Sequence, residues 1–258
     1  MNAKLCAALV AVVVLSLLAA GCTGGTETPV SEKPLYIVGI DGDYKPFSYI
    51  EADGTAAGFD VESVQWIGEE MGFDVKIQPM AWDGIITSLV TKKIDMVYSG
   101  MTITPERQER VSFTKPYWIV NQAVASRADS VVTLGDVLTG KVVMGAQRGS
   151  TAADYIKENL VDTGKLSADD FKLYEGFSLA VADLENKRVD AVMYDTPIVN
   201  EFIQEMGLRK VGIVETKEEY GIAIRKEDTE LLATMNEGID RLQASPKWNE
   251  LKTKFGLV

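Results

Sequence analysis

The chain has 258 residues, a formal net charge of −12 and no histidine, which removes His-based triads, His zinc sites and His haem ligation from its possible chemistry. Its two cysteines, Cys6 and Cys22, give no disulfide framework, and its acidic balance disfavours nucleic acid and anionic lipid surfaces while favouring cations. The length accommodates two modest domains, and no cofactor is expected.

Lys4 precedes a nearly unbroken apolar run from Leu5 to Ala20, and Ala19, Ala20 and Gly21 then lead to Cys22. This predicts a secretory signal over 1–21. The run is shorter than the roughly 20 residues that cross a bilayer core, and no later segment approaches that length, which excludes a polytopic membrane protein. Leu18-Ala19-Ala20-Gly21-Cys22 resembles the lipobox of prokaryotic lipoproteins, with Ala19 where Leu is more usual. The resemblance implies acylation at Cys22; an ordinary signal with an incidental cysteine is the alternative. Residues 22–34, with Gly24, Gly25, Thr28, Pro29 and Ser31, read as a tether.

Strand formers at Leu35 to Ile40 open the fold, and Gly58-Phe59-Asp60 starts a helix with Val61, Val64, Ile67 and Met71 on one face, ending at Gly72. A strand over Val75 to Gln78, a helix carrying Ile85, Ile86, Leu89 and Val90, and a strand over Ile94 to Tyr98 follow. The alternation predicts βαβ units and a mostly parallel sheet. It restarts after Val120, with strands near Ala123 to Ser126, Val142 to Gly145, Phe171 to Leu173 and Ala191 to Met193. Helices are predicted over Thr151 to Asn159, Leu179 to Lys187, Pro197 to Met206 and Asp228 to Phe255, the last broken near Ser245-Pro246. Two α/β lobes result, and ligands of open parallel sheets bind beyond the carboxyl ends of strands.

Four loops after strands carry candidate recognition residues. Asp41 and Tyr44 follow the first strand, and Trp82 precedes Asp83-Gly84. The two aromatics can sandwich the aliphatic part of a small ligand, or either can belong to the core. Ser99, Gly100 and Thr102 leave a strand end, Thr104 can cap a helix with Pro105 at its first position, and Arg107 lies one turn inside. A guanidinium fork matches a carboxylate bidentately, although an Arg in a first turn is often a solvated surface residue. Gln147, Arg148, Gly149, Ser150 and Thr151 follow a strand and open a helix, whose backbone N–H groups offer a second grip on an anion. Asp195 leaves another strand before Thr196-Pro197; its carboxylate can hold an ammonium group or cap the helix. Asp60 reads as a helix cap, and Glu69, Glu70 and Asp74 as solvated surface.

With those residues in place, the chain resembles the polar amino-acid-binding proteins of ABC importers, solute-binding protein family 3. Tyr44-Lys45-Pro46-Phe47, Gly58-Phe59-Asp60-Val61, Trp82-Asp83-Gly84-Ile85-Ile86, Gly100 through Arg107, Gly149-Ser150-Thr151 and Tyr194-Asp195-Thr196-Pro197 carry the likeness across the mature chain. The resemblance implies a type II periplasmic-binding fold, with lobe 1 over 35–120 and 219–258 and lobe 2 over 121–218. A two-stranded hinge is placed near Ile119 to Gln122 and Thr216 to Tyr220. It implies that Arg107 clamps an α-carboxylate and Asp195 takes an α-ammonium group. Ser99, Gly100, Thr102, Ser150 and Thr151 belong to the same site, and Asp41, Tyr44, Trp82 and Gln147 face the ligand side chain. It further implies a monomer, anchored to the membrane by lipid, that closes on a free amino acid and delivers it to ABC-transporter permease subunits.

No Arg lies between Lys33 and Arg107, so an acidic ligand side chain would lack a partner there, whereas glutamine, arginine, lysine or histidine suits Asp41 and the aromatic pair. Gln147 departs from the Lys of some glutamine-binding relatives, and Arg148 can point inward or into solvent. The alternative from another class is a cyclohexadienyl or arogenate dehydratase on the same fold. That chemistry needs a positioned general acid, for which the sequence nominates no residue. A sensory module is a third reading, with no attached signalling domain to support it.

Overall fold

The computed structural model describes residues 33–257. The signal expected over 1–21, Cys22 and all but the end of the tether lie outside them. Strand β1 (Leu35–Ile40) is followed by a small meander of β2 (Asp43–Tyr44), β3 (Ser48–Ile50) and β4 (Ala56–Ala57), then by α1 (Phe59–Met71). That helix stops where expected, at Gly72, which takes φ 82° and donates its N–H to the Gly68 carbonyl; glycine reaches this left-handed conformation without a Cβ clash. Next come β5 (Asp74–Pro79), α2 (Ile85–Val90), β6 (Met96–Val97), α3 (Pro105–Arg110) and β7 (Ser112–Phe113).

The long strand β8 (Trp118–Ser126) leads into α4 (Leu134–Leu138), β9 (Met144–Gln147), α5 (Thr151–Ile156), β10 (Phe171–Tyr174), α6 (Phe177–Glu185), β11 (Ala191–Asp195) and α7 (Thr196–Met206). The chain returns through β12 (Arg209–Tyr220) to β13 (Ala223–Ile224) and ends in α8 (Thr229–Ala244) and α9 (Pro246–Lys254), divided at Ser245-Pro246.

Two five-stranded sheets form, in the orders β5-β1-β6-β13-β7 and β10-β9-β11-β8-β12. In each, four strands run in one direction, as the expected mostly parallel arrangement requires, and one strand, β13 in the first sheet and β8 in the second, runs against them. In the first sheet β13 makes antiparallel pairs with β6 and β7, and β7 and β13 are two residues each and too short to carry periodicity. In the second β8 makes antiparallel pairs with β11 and β12, and β8 and β12 join the lobes. Each sheet buries its own apolar layer: Val38 and Ile40 of β1 pack with Val64 and Ile67 of α1, and Val192 of β11 with Ala180 and Val181 of α6. Full burial of a side chain such as Ile67 stabilises by about 1.5–3 kcal/mol.

β8 and β12 pair Trp118 with Tyr220, Ile119 with Glu219 and Val120 with Glu218; the register then jumps, so that Gln122 faces Val214. Glu215, Thr216 and Lys217 stand opposite Asn121 alone, a bulge of two extra residues. Lys217 adopts φ 52°, and its N–H donates to Asn121 Oδ1 at 2.9 Å.

Candidate functional site

The carboxyl ends of both sheets face one another, and the sequence-predicted residues meet there. After β1, Asp41 donates its backbone N–H to Ser99 Oγ at 3.0 Å, and its own Oδ1 accepts the Asp43 N–H, also at 3.0 Å. Its Oδ2 accepts Gln147 Nε2 from the other lobe at 2.8 Å. Burial raises the Asp41 carboxyl above the ordinary carboxylate range, against the lowering pull of the Gln147 hydrogen bond. Ser99 is buried and shares a 2.7 Å hydroxyl contact with Ser48.

Tyr44 and Trp82 are buried, with 3% and 8% exposure, yet both point polar atoms across the cleft. Tyr44 Oη donates to Asp195 Oδ2, and the Trp82 indole N–H donates to the Gly149 carbonyl at 2.9 Å. The Tyr44 ring lies flush against Gly100, where a Cβ would stand 2.2 Å from ring atom Cε1 and where φ is 55°. Only glycine fits that position.

Arg107 is not a solvated first-turn residue. Its backbone N–H is capped by Thr104 Oγ1, and its guanidinium donates to the carbonyls of Thr102 at 2.8 Å and Gly149 at 3.0 Å. It lies 5.5 Å from the Trp82 ring centroid, within cation–π range. Burial lowers its pKa from the usual value, while Asp154, Asp195 and Glu218 pull it back up, and a guanidinium stays charged throughout.

On the other lobe, Ser150 is the N-cap of α5: its hydroxyl accepts the Ala153 N–H at 3.1 Å and donates to the Gln147 carbonyl at 2.7 Å. That hydroxyl is committed to the helix. Thr151 Oγ1 donates to Glu218 Oε2 at 2.6 Å, and Thr102 Oγ1 donates to the same oxygen at 2.8 Å. Arg148 points outward, its guanidinium 3.6 Å from Asp83 at the rim. Asp195 occupies the N-cap position of α7 without a side-chain cap bond; its carboxylate turns into the cleft instead. There it accepts Tyr44 Oη, Tyr220 Oη at 2.7 Å and Gln122 Nε2. Burial first, then the Glu218 charge, raises its pKa to about 6 against three hydrogen bonds that lower it.

Asp60 departs from the cap expected of it. It lies inside α1 and is fully buried, with Oδ2 accepting the Gly100 N–H at 2.7 Å and Tyr117 Oη at 2.8 Å. Desolvation pushes its carboxyl up to about 8. Asp60 thus anchors the turn on which Tyr44 rests. Glu69, Glu70 and Asp74 are exposed as expected.

Gln122, Glu218 and Tyr220 were expected only as part of the hinge and not among the site residues, yet all three touch the cleft from the joining strands. Gln122 Nε2 reaches both Asp195 Oδ1 and, at 2.8 Å, Glu218 Oε1. The signal available was the alternation of half-buried and exposed residues along β12, masked by the polar run Glu215 to Glu219. Among the described residues no cluster of His, Cys, Asp and Glu could hold a metal ion, and no helix is long and apolar enough to cross a membrane.

A buried guanidinium fork and a buried carboxylate from opposite lobes, with two aromatics between them, suit a small zwitterion. The family model for bacterial extracellular solute-binding proteins, family 3, matches residues 36–258. The chain belongs to this family. It is 28% identical to the L-cystine-binding protein of Escherichia coli over 235 residues, 90% of this chain and 86% of that one. With the L-arginine-binding protein of Pseudomonas aeruginosa it shares 35% identity over 240 residues, covering 88% and 90% of the two chains. Among solved structures, an ancestral arginine-binding protein bound to glutamine superposes with a TM-score of 0.78 at 32% identity, over 86% of this chain and 98% of that one. The fold is the type II periplasmic-binding fold, two α/β lobes joined by paired strands.

Proposed function

We propose that the protein is the extracytoplasmic receptor of an ABC importer, which closes on one free polar or cationic L-amino acid and performs no chemistry on it. The observation that carries this reading is the convergence of Arg107 and Asp195 from opposite lobes on one buried cleft. Arg107, with Thr102 and the backbone of the Ser99 to Thr102 turn, takes the α-carboxylate, and Asp195 takes the α-ammonium group through charge-assisted hydrogen bonds. Tyr44 and Trp82 flank the aliphatic part. The side-chain end meets Asp41 and Gln147, an acceptor-rich pair without a basic partner, since Arg148 faces Asp83 outside. Acidic side chains are disfavoured there, and the relatives named for arginine and cystine, with the ancestral protein holding glutamine, fit the polar or cationic class.

Lobe 1 is assigned to 35–120 and 219–258 and lobe 2 to 121–218, the joining strands acting as the hinge that lets permease subunits recognise the closed form of a monomer. Cys22 supplies the lipid anchor. Calorimetric titration of the stripped protein with all twenty amino acids, beside an Arg107→Ala control, tests the reading. Tight binding of one polar or cationic amino acid, lost in the control, is expected; binding of none overturns it.

A further inference from the structure

Glu218 is placed as an occupant of the site would be. Its backbone is fixed in the joining ladder opposite Val120, at the edge of the register jump. Its Oε2 accepts the hydroxyl protons of Thr102 and Thr151, one from each lobe, and its Oε1 accepts Gln122 Nε2 at 2.8 Å. An incoming α-carboxylate held by Arg107 would draw on those two hydroxyl donors. A hydroxyl has one proton to give, so two carboxylates cannot both be served by the same threonines.

We infer that Glu218 is a specificity-determining residue of this site: its carboxylate stands in for a ligand carboxylate on the hydroxyls of Thr102 and Thr151, and binding requires its displacement. The inference rests on the amino-acid reading above. Glu218 has somewhere to go. It lines a groove of about 600 Å³ that runs from Thr102 and Thr151 past Lys217 to the surface, and it is only half-buried. Apart from Lys217 the other charges on its walls are acidic, Glu106, Asp154, Glu158 and Glu219, so the displaced carboxylate moves mostly among like charges. The consequence is a penalty on every ligand carboxylate, which a positively charged side chain offsets and a neutral one does not.

The full chain, stripped of bound ligand, is titrated with L-arginine, L-lysine, L-histidine and L-glutamine and with the carboxamide of each, in the parent, Glu218→Gln and Glu218→Asp. Removing the competing charge is expected to tighten binding of the free amino acid about fivefold, a fraction of what a charged hydrogen bond contributes, and to leave the carboxamide unchanged. The ratio of the two affinities is the readout, since a loss of structural support alone would move both ligands together. Glutamine is expected to gain more than arginine. Glu218→Asp, shorter by one methylene, is expected to raise the ratio about twofold and serves if the Gln variant fails to fold. A ratio that is unchanged or lower in the folded variants overturns the inference while leaving the proposed function intact. A parent that binds none of the four amino acids overturns both.

Discussion

Two buried aspartates, Asp60 and Asp195, each accept a tyrosine hydroxyl and each sit above their ordinary pKa because of burial. They differ in where their partners come from. Asp60 is enclosed within one lobe, and its two donors, Gly100 and Tyr117, belong to the same packed unit. Asp195 draws Tyr44 from the first lobe and Gln122 and Tyr220 from the joining strands. Three donors hold Asp195 near 6, whereas two leave Asp60 near 8. The same residue type in similar burial therefore reads as scaffold when its donors move with it, and as recognition when they arrive from across a cleft.

The largest expected effect separates the two roles. Asp195→Asn should weaken amino-acid binding by about 100-fold, because an ammonium group in a buried cleft loses its counter-charge, with little change in melting temperature. Asp60→Ala should do the reverse, lowering stability by about 2–4 kcal/mol through a buried Tyr117 hydroxyl left without its acceptor and a cavity. Comparable losses of affinity and stability in both variants would erase the distinction.

Acidity sharpens it. Both folded pKa values lie above the ordinary aspartate value of 3.8, so each neutral carboxyl contributes stability that is fully present below that value and is lost as pH rises through its folded pKa. Asp195 acts between about 4 and 6 and Asp60 from about 4 to 8. Thermal melts should therefore flatten only below about pH 6 in Asp195→Asn and up to about pH 8 in Asp60→Asn, relative to the parent. Affinity runs the other way: an ammonium ligand needs ionised Asp195, so binding should weaken by about tenfold per pH unit below about 6.

A smaller effect is expected at Gly100→Ala, where the added Cβ displaces the Tyr44 ring. Affinity should fall about tenfold, with a stability loss of about 1–3 kcal/mol from the left-handed backbone. The smallest belongs to Arg148→Ala. Its pair with Asp83 is half-exposed at 3.6 Å, and its removal should change closure and stability by less than about 1 kcal/mol, measurable by titration and melting.

The elements that position the lobe faces were legible because they bury whole apolar stripes: α1 with Val61, Val64 and Ile67, or β1 with Val38 and Ile40. The candidate loops were legible because Gly100, Pro105 and Asp195 stand at strand ends where turn chemistry is visible in residue type. The joining strands were legible only in part: Ala123 to Ser126 was expected as a strand, whereas the crossing near Thr216 to Tyr220 came from the family resemblance alone. Glu218 sits in the polar run Glu215 to Glu219, which periodicity cannot assign, and Gln122 is a polar residue inside the otherwise apolar strand β8, where residue type alone does not say that it faces a cleft. Asp60 was misplaced for a related reason: its partners Gly100 and Tyr117 are distant in sequence, and an acid in a helix's first turn has a simpler local explanation. Ser150, expected to face a ligand, has its hydroxyl taken by the helix it starts.

The pairing of Trp118 with Tyr220 means that the chain leaves the first sheet and re-enters it at neighbouring positions, with the whole second sheet strung between. Bringing those two points together costs almost no loop-closure entropy when the insert is replaced by a tight turn, whereas the reverse exchange, splicing in a foreign insert, needs only that its two ends lie one strand spacing apart. The junction is a natural port for exchanging lobes between receptors of this family. The register jump beside it is the place to seat a reporter that would test the proposed closure of one lobe against the other.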